Sequence, residues 1–223
     1  MPTIILASAS PRRRELMALT GLDFEVRPAA VRETPRPGES AGDFVQRLSA
    51  EKAAEAAETS GPDALVVGAD TVVVLDNQII GKPTDAEHAF ALLQQLRGRA
   101  HLVLTGLTVL DPASGARLTD LVSARVPMRA YADHEIEAYV ASGNPLDKAG
   151  AYAIQYAPFQ PVDLAQFQDC FANVMGLPLC RLLSRLHRLR PHRVPQPAPL
   201  ADCARYAAAE CPFVAQVMPD GAV

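Results

Sequence analysis

An α/β fold built on a mixed sheet is what this sequence predicts, on three observations. Apolar, β-branched runs of strand length recur between segments whose apolar residues return at helical spacing. The alternation is not a strict strand-helix-strand repeat, since several strand runs follow one another directly, and a purely parallel sheet does not fit such an order. A chain of 223 residues that is 49% hydrophobic can bury a real core as one domain or as closely joined lobes.

The elements follow in order. Residues 3–8 (TIILAS) read as a buried strand; Ser10 then serves as a helix N-cap, with Pro11 at the first helical position. Leu16, Met17 and Leu19 give that helix an inner face and Gly21 stops it. Residues 23–29 (DFEVRPA) alternate as a short strand, and 31–39 (VRETPRPGE) carry too much proline and charge for anything but a loop. From Ser40 to Thr59 apolar residues recur at helical spacing, which places Lys52 on a helix. Residues 64–80 hold two strand runs joined at Asp76-Asn77, a hairpin signal. Residues 84–98 form a helix with Thr84 as cap and Gly98 as stop. Strands follow over 100–111 and 118–131, then a helix over 132–143. From His187 the chain turns proline-rich without sustained period, so residues 1–186 read as the domain and 187–223 as a C-terminal extension, with a short helix at 200–212.

Composition excludes several classes. A formal net charge of −4 argues against coating a nucleic acid polymer, which needs an excess of basic side chains. No apolar run reaches membrane-spanning length and no basic segment precedes an apolar one at the start, so a soluble cytoplasmic protein is expected. Cys170, Cys180, Cys203 and Cys211 form no C-x-x-C pair, and reduced thiols are the expectation.

Two features carry chemistry. The strand that turns into a helix at Ser10 offers unpaired N–H groups and partial positive charge, and Arg12 and Arg13 would make it a phosphate clamp; the alternative is a solvated first turn, in which those charges oppose the helix dipole. Arg14 reads as surface. Asp70, flanked by LVVGA and TVVVL, is desolvated at a cost unless paired with cations or a metal, which suits a metal ligand or general base; a local cap at a bulge is the alternative. Glu33, Lys52 and Lys82 are ordinary charges taken singly. Thr105 and Gly106 interrupt a strand with a bulge or a close backbone approach to ligand, and Gln155 could read a nucleobase edge through its amide. The chain lacks a P-loop, a dinucleotide fingerprint, H-E-x-x-H and G-x-S-x-G, and its histidines do not cluster. Cations with carboxylates suit phosphate handling with a divalent metal.

Taken in order, LASASPRRREL, RETPRPGES, LSAEKA, VVGADTVVVLDNQIIGKPTDAEHA, LTGLTV, YVASGNPLDKAGAYAIQ and NVMGLPL resemble the Maf family of nucleotide pyrophosphatases, from residue 3 to about 183. The resemblance implies an elongated mixed sheet with surrounding helices and a nucleotide cleft between two lobes, as in inosine triphosphate pyrophosphatases. It implies hydrolysis of a nucleoside triphosphate to the monophosphate and pyrophosphate, and a homodimer. Arg12, Thr71 and Gln155 are similar to the residues of the dTTP/UTP subgroup, whereas the 7-methyl-GTP subgroup shows an aromatic residue, Gln and Glu there. The chain departs from the family over YAPFQPVDLAQFQDCFANV, where a glycine-rich hairpin is usual; that departure bears on the shape of a cleft wall.

On this resemblance, water activated by Mg²⁺ or Mn²⁺ attacks the α-phosphorus. Asp70 is the general base or a metal ligand and Glu33 a second metal ligand. Arg12, Arg13, Lys52 and Lys82 neutralise the triphosphate, and Ser8 and Ser10 hydrogen-bond its phosphates. Two other readings are a nucleotide-binding regulator of septum formation without turnover, and a housecleaning enzyme for modified pyrimidine nucleotides.

Overall fold

The computed structural model describes residues 3–156 and 158–194. The extension beyond 194, with Cys203, Cys211 and the helix expected at 200–212, lies outside the described residues. The strands are β1 (Thr3–Leu6), β2 (Phe24–Val26), β3 (Ala64–Leu75), β4 (Gln78–Ile80), β5 (Ala100–Leu110) and β6 (Arg117–Pro127). The helices are α1 (Pro11–Ala18), α2 (Ala41–Ala57), α3 (Ala86–Leu96), α4 (Asp133–Ala141), α5 (Phe171–Met175) and α6 (Leu179–Leu189). Position 187, where the sequence suggested a boundary, falls inside α6, and Val194 is buried. Among the described residues no helix is long and apolar enough to cross a membrane.

Local chemistry sets most of these ends. Ser10 is extended and its hydroxyl accepts from the Arg13 N–H, with Pro11 in the first turn. Ser40 caps α2 by accepting from the Asp43 N–H at 3.1 Å. The β3–β4 turn puts Asp76 and Asn77 at φ 50° and 62°, the left-handed pair that a two-residue hairpin requires. One cap is misplaced by sequence: α3 is capped by Asp85 and not Thr84. The Asp85 carboxylate accepts from His88 N–H at 2.8 Å, and the Thr84 hydroxyl donates to that carboxylate at 2.9 Å. Asp at the N-cap adds a negative charge where the helix start is positive.

The six-stranded sheet runs β2-β1-β3-β5-β6, with β4 also on β3. β1 lies parallel to β2 and β3, while β3–β4, β3–β5 and β5–β6 are antiparallel, so the sheet is mixed as expected. One consequence places the site. β5 pairs with Val66 to Val74 of β3; on the opposite edge β1 takes Ala64 to Val67 and β4 takes Val73 to Leu75. Between them, residues 68–72 of β3 face a gap in the sheet, and Asp70 and Thr71 lie in it.

Helix α2 covers one face. Val72 and Val74 pack with Phe44, Val45 and Leu48, while the odd-numbered Val67, Ala69 and Val73 belong to the larger core on the other face with α1 and α3 to α6. The helix sits close because Gly68 and Gly106 have no side chains. A Cβ on Gly68 would stand 2.1 Å from the Ser49 carbonyl oxygen, and one on Gly106 at 2.1 Å from that of Val45. Gly106 stands in regular register opposite Asp70. The strand interruption is thus neither a bulge nor an approach to ligand; it is the seat of α2. A buried hydrogen bond between the Ser49 and Thr108 hydroxyls, at 2.8 Å, fixes the same contact.

Candidate active site

A cleft of about 400 Å³ opens at the gap in the sheet. It is walled by the β1–α1 turn, the loop carrying Glu33, the middle of β3, the segment after α4 and the end of α5. Every predicted residue lines it: Ser8, Ser10, Arg12, Arg13, Glu33, Lys52, Asp70, Thr71, Lys82 and Gln155. Arg14, read as surface, is exposed and lies outside the lining.

The centre is an ion cluster in which Lys52 and Asp70 are buried and Glu33 reaches in from the exposed loop. The Lys52 ammonium, carried inward by α2, donates to Asp70 Oδ1 at 2.6 Å and to Glu33 Oε1 at 2.5 Å. Lys52 and Asp70 are only 7% and 6% exposed, so the desolvation expected of Asp70 is found, whereas Lys52, ordinary when taken singly, is buried with it. Burial pushes the Asp70 carboxyl up, and the charge and hydrogen bond of Lys52, with Arg13, only partly offset it. Glu33 goes the other way: partial burial raises it, but the Lys52 hydrogen bond and the charges of Lys52, Lys82 and Arg13 outweigh that and hold it low. The proline-rich loop is held in place for this by Arg47 of α2. That side chain donates to Glu39 at 2.6 Å and 2.8 Å and to the Thr34 carbonyl at 3.2 Å.

Arg13 forms the opposite wall. Its Nε donates to the Gly176 carbonyl at 2.8 Å, Nη1 to Ser8 Oγ at 3.2 Å and Nη2 to Thr71 Oγ1 at 3.1 Å. A guanidinium has five N–H groups, so two are left for a ligand in a fixed orientation. Burial, with Arg12 nearby, lowers its pKa against the pull of Asp70 and Glu33. Thr71 is braced in turn by the Thr105 hydroxyl at 2.9 Å, which explains the polar residue in β5. Ser10 spends its hydroxyl on the helix cap and Ser8 accepts from Arg13 and from Ser10 N–H.

Sequence reasoning missed two lining charges, Asp147 and Lys148. Asp147 approaches Arg12 at 3.6 Å and also accepts from Lys148. The signal was the DKAG run itself, whose Gly150 takes φ 70° and donates its N–H to Gly81 beside Lys82 at 3.1 Å. With them the cleft holds five cationic side chains against three carboxylates, an excess suited to a polyanion. None of the described residues between Tyr156 and Ala172 lines it. The departing segment instead bridges Val162 to Met128 beyond β6 and packs Phe159 on Tyr139 and Tyr131.

The donor set can be judged for a divalent ion. Two hard carboxylates converge on one point, and that point already holds a cation, the Lys52 ammonium. Such oxygens fit Mg²⁺ or Mn²⁺. Among the described residues no three His, Cys, Asp or Glu side chains are grouped to hold a metal, so other ligands have to come from water and substrate.

Comparison with known proteins gives the family of the chain. A family model described as "Maf-like protein" matches residues 3–189. A protein of Pelotomaculum thermopropionicum named dTTP/UTP pyrophosphatase is 45% identical over 190 residues, covering 84% of this chain and 97% of that protein. One of the same name from Methylococcus capsulatus is 46% identical over 186 residues, covering 83% and 90%. Among solved structures, a nucleoside-triphosphatase / dITP/XTP pyrophosphatase from Mycobacterium abscessus aligns with a TM-score of 0.37 at 19% identity, covering 56% of this chain and 74% of that one.

Proposed function

Since the chain belongs to the Maf-like protein family, we propose that it hydrolyses dTTP and UTP at the α–β phosphoanhydride, releasing the monophosphate and pyrophosphate. The observation that carries this reading is the convergence of Asp70, Glu33 and Lys52 opposite Arg12 and Arg13 in one cleft. The relatives named dTTP/UTP pyrophosphatase support the pyrimidine substrates, and Arg12, Thr71 and Gln155 all line the cleft.

In this mechanism Asp70, made more basic by burial, accepts a proton from water as the water oxygen bonds to the α-phosphorus. Its Oδ1 faces the point shared with Glu33 where a cation sits, Lys52 in this structure, so the second oxygen, Oδ2, takes the proton. The bond from the α-phosphorus to the bridging oxygen breaks and the electron pair leaves on pyrophosphate. Arg12, Lys82 and Lys148 balance the charge of that leaving group, while Arg13, held by three protein acceptors, presents its free N–H groups without reorganisation. A divalent cation held by Asp70 and Glu33 would supply Lewis-acid polarisation of the phosphate and a lower pKa for the attacking water. Gln155, half-buried in the lining, reads the base.

Incubation with nucleoside triphosphates and Mg²⁺ or Mn²⁺, resolving every phosphate product, tests the reading. UMP or dTMP with pyrophosphate is expected; orthophosphate with a diphosphate, or no turnover, would refute it. The reading includes a cytoplasmic location and the homodimer that the resemblance implies, the latter tested by sedimentation of the purified protein.

A further inference from the structure

We infer that Lys52 is the resident counter-cation of the Glu33–Asp70 pair, and that a divalent ion enters only when a triphosphate draws the ammonium away. The inference rests on the reading of the cleft as a nucleotide pyrophosphatase site. Its geometry is direct: Lys52 Nζ lies 2.5 Å from Glu33 Oε1 and 2.6 Å from Asp70 Oδ1, on the point where the two carboxylates converge. An ion bonded to those oxygens at about 2.0–2.1 Å would share that point with a like charge.

Lys52 cannot yield by moving its helix. α2 is pressed on the sheet at Gly68 and Gly106, where not even a methyl group fits, and the Ser49–Thr108 hydrogen bond ties it there. Only the side-chain torsions are left, and the side chain is 8% exposed, so the ammonium needs a new buried partner before it leaves the carboxylates. The cleft lies beside it, and its other cations, Arg12, Arg13 and Lys82, are disposed to bind phosphate. Oxygens of a triphosphate there offer Lys52 that partner. Metal and nucleotide are therefore coupled through one side chain, and the coupling acts equally on both affinities.

Mn²⁺ alone, without nucleotide, is the probe, with free Mn²⁺ read by electron paramagnetic resonance at neutral pH. The wild-type protein is expected to bind it weakly, and Lys52→Met to bind it at least about tenfold more tightly, as coupling of this class allows. Lys52→Arg keeps the charge and should stay weak, and adding Asp70→Asn to Lys52→Met should remove the gain. Where circular dichroism finds Lys52→Met unfolded, Lys52→Gln, which still packs the stem and donates to Asp70, carries the same expectation. Wild-type binding as tight as that of the neutral variants, or a gain that survives Asp70→Asn, overturns the inference. No turnover is involved, so loss of the pyrophosphatase reading and loss of this one are separate results.

Discussion

Gly106→Ala tests the claim that close seating of α2 sets the site. An added Cβ would lie 2.1 Å from the Val45 oxygen and 2.4 Å from its carbonyl carbon, both backbone atoms that no rotamer change can move. Raising 2.1 Å to 3.0 Å, the floor for real Cβ contacts, takes a separation of at least about 0.9 Å. Lys52 stands two turns along α2 from Val45 and on the same side, so it moves too. Its 2.6 Å bond to Asp70 then stretches toward the limit of a hydrogen bond. Overpacking of this kind costs about 1–3 kcal/mol, or about 2–4 °C of Tm per kcal/mol for a domain of this size. A displacement near 1 Å can cost about a hundredfold in kcat. Thermal and urea melts followed by circular dichroism, with initial rates on dTTP, measure both. Gly61→Ala is the control: its Cβ would meet nothing within 4 Å, and the lost unfolded-state freedom makes it neutral or stabilising by up to about 1 kcal/mol. A Gly106→Ala protein that melts with the control and turns over like wild type would refute the reasoning.

Three further outcomes are expected. Asp70→Asn should reduce kcat by about 10²–10⁴, the worth of a positioned base, with a cooperative melt retained; near-full turnover would remove Asp70 from the chemistry. Arg190 hydrogen-bonds Asp111 at 2.6 Å and 2.8 Å and pulls its pKa down to about 2, against about 3.9 for a free aspartate. The folded pKa is the lower one, so this stabilisation is complete above the unfolded value and lost as pH falls from about 4 to about 2. Asp111→Asn should therefore lower Tm at neutral pH and flatten its dependence on pH in that window, and a parallel Tm profile would contradict the assignment. Replacing Arg12 by an aromatic residue, Thr71 by Gln and Gln155 by Glu should move preference from pyrimidine nucleotides toward 7-methyl-GTP, and an unchanged substrate profile would defeat the specificity argument.

Sequence disclosed what short-range physics decides. The Ser10 cap, the Asp76-Asn77 turn and the buried Asp70 each declare themselves within a few residues, and the structure keeps them. The Thr84 cap failed because two adjacent cap-forming residues compete, and the charged one took the helix start. Lys52, Glu33 and Lys82 were ordinary taken singly because their meaning lies in pairing across the fold: Lys52 is 18 residues from Asp70 and 19 from Glu33. Gly106 announced a close approach but not its partner, since α2 lies over 45 residues earlier in the chain. Asp147 and Lys148 reach the cleft through a left-handed turn at Gly150 that local pattern does not orient.

The interruption in strand pairing beside Asp70 has a consequence for how such an enzyme can change. β3 is supported along its full middle by β5 on one side, so its carboxylate holds its place whatever borders the other. The bordering pieces, the β1–α1 turn, the Glu33 loop and the Lys148 segment, are each attached at their own ends. Each can lengthen or shorten without passing strain to β3 as long as Arg13 keeps its bond to Thr71 and Glu33 its bond to Lys52. Altered base preference should therefore accumulate along that border while the hydrolytic step is inherited wherever Arg12, Arg13 and Glu33 are kept, and recombining border segments that retain them is a direct way to make pyrophosphatases with new substrates.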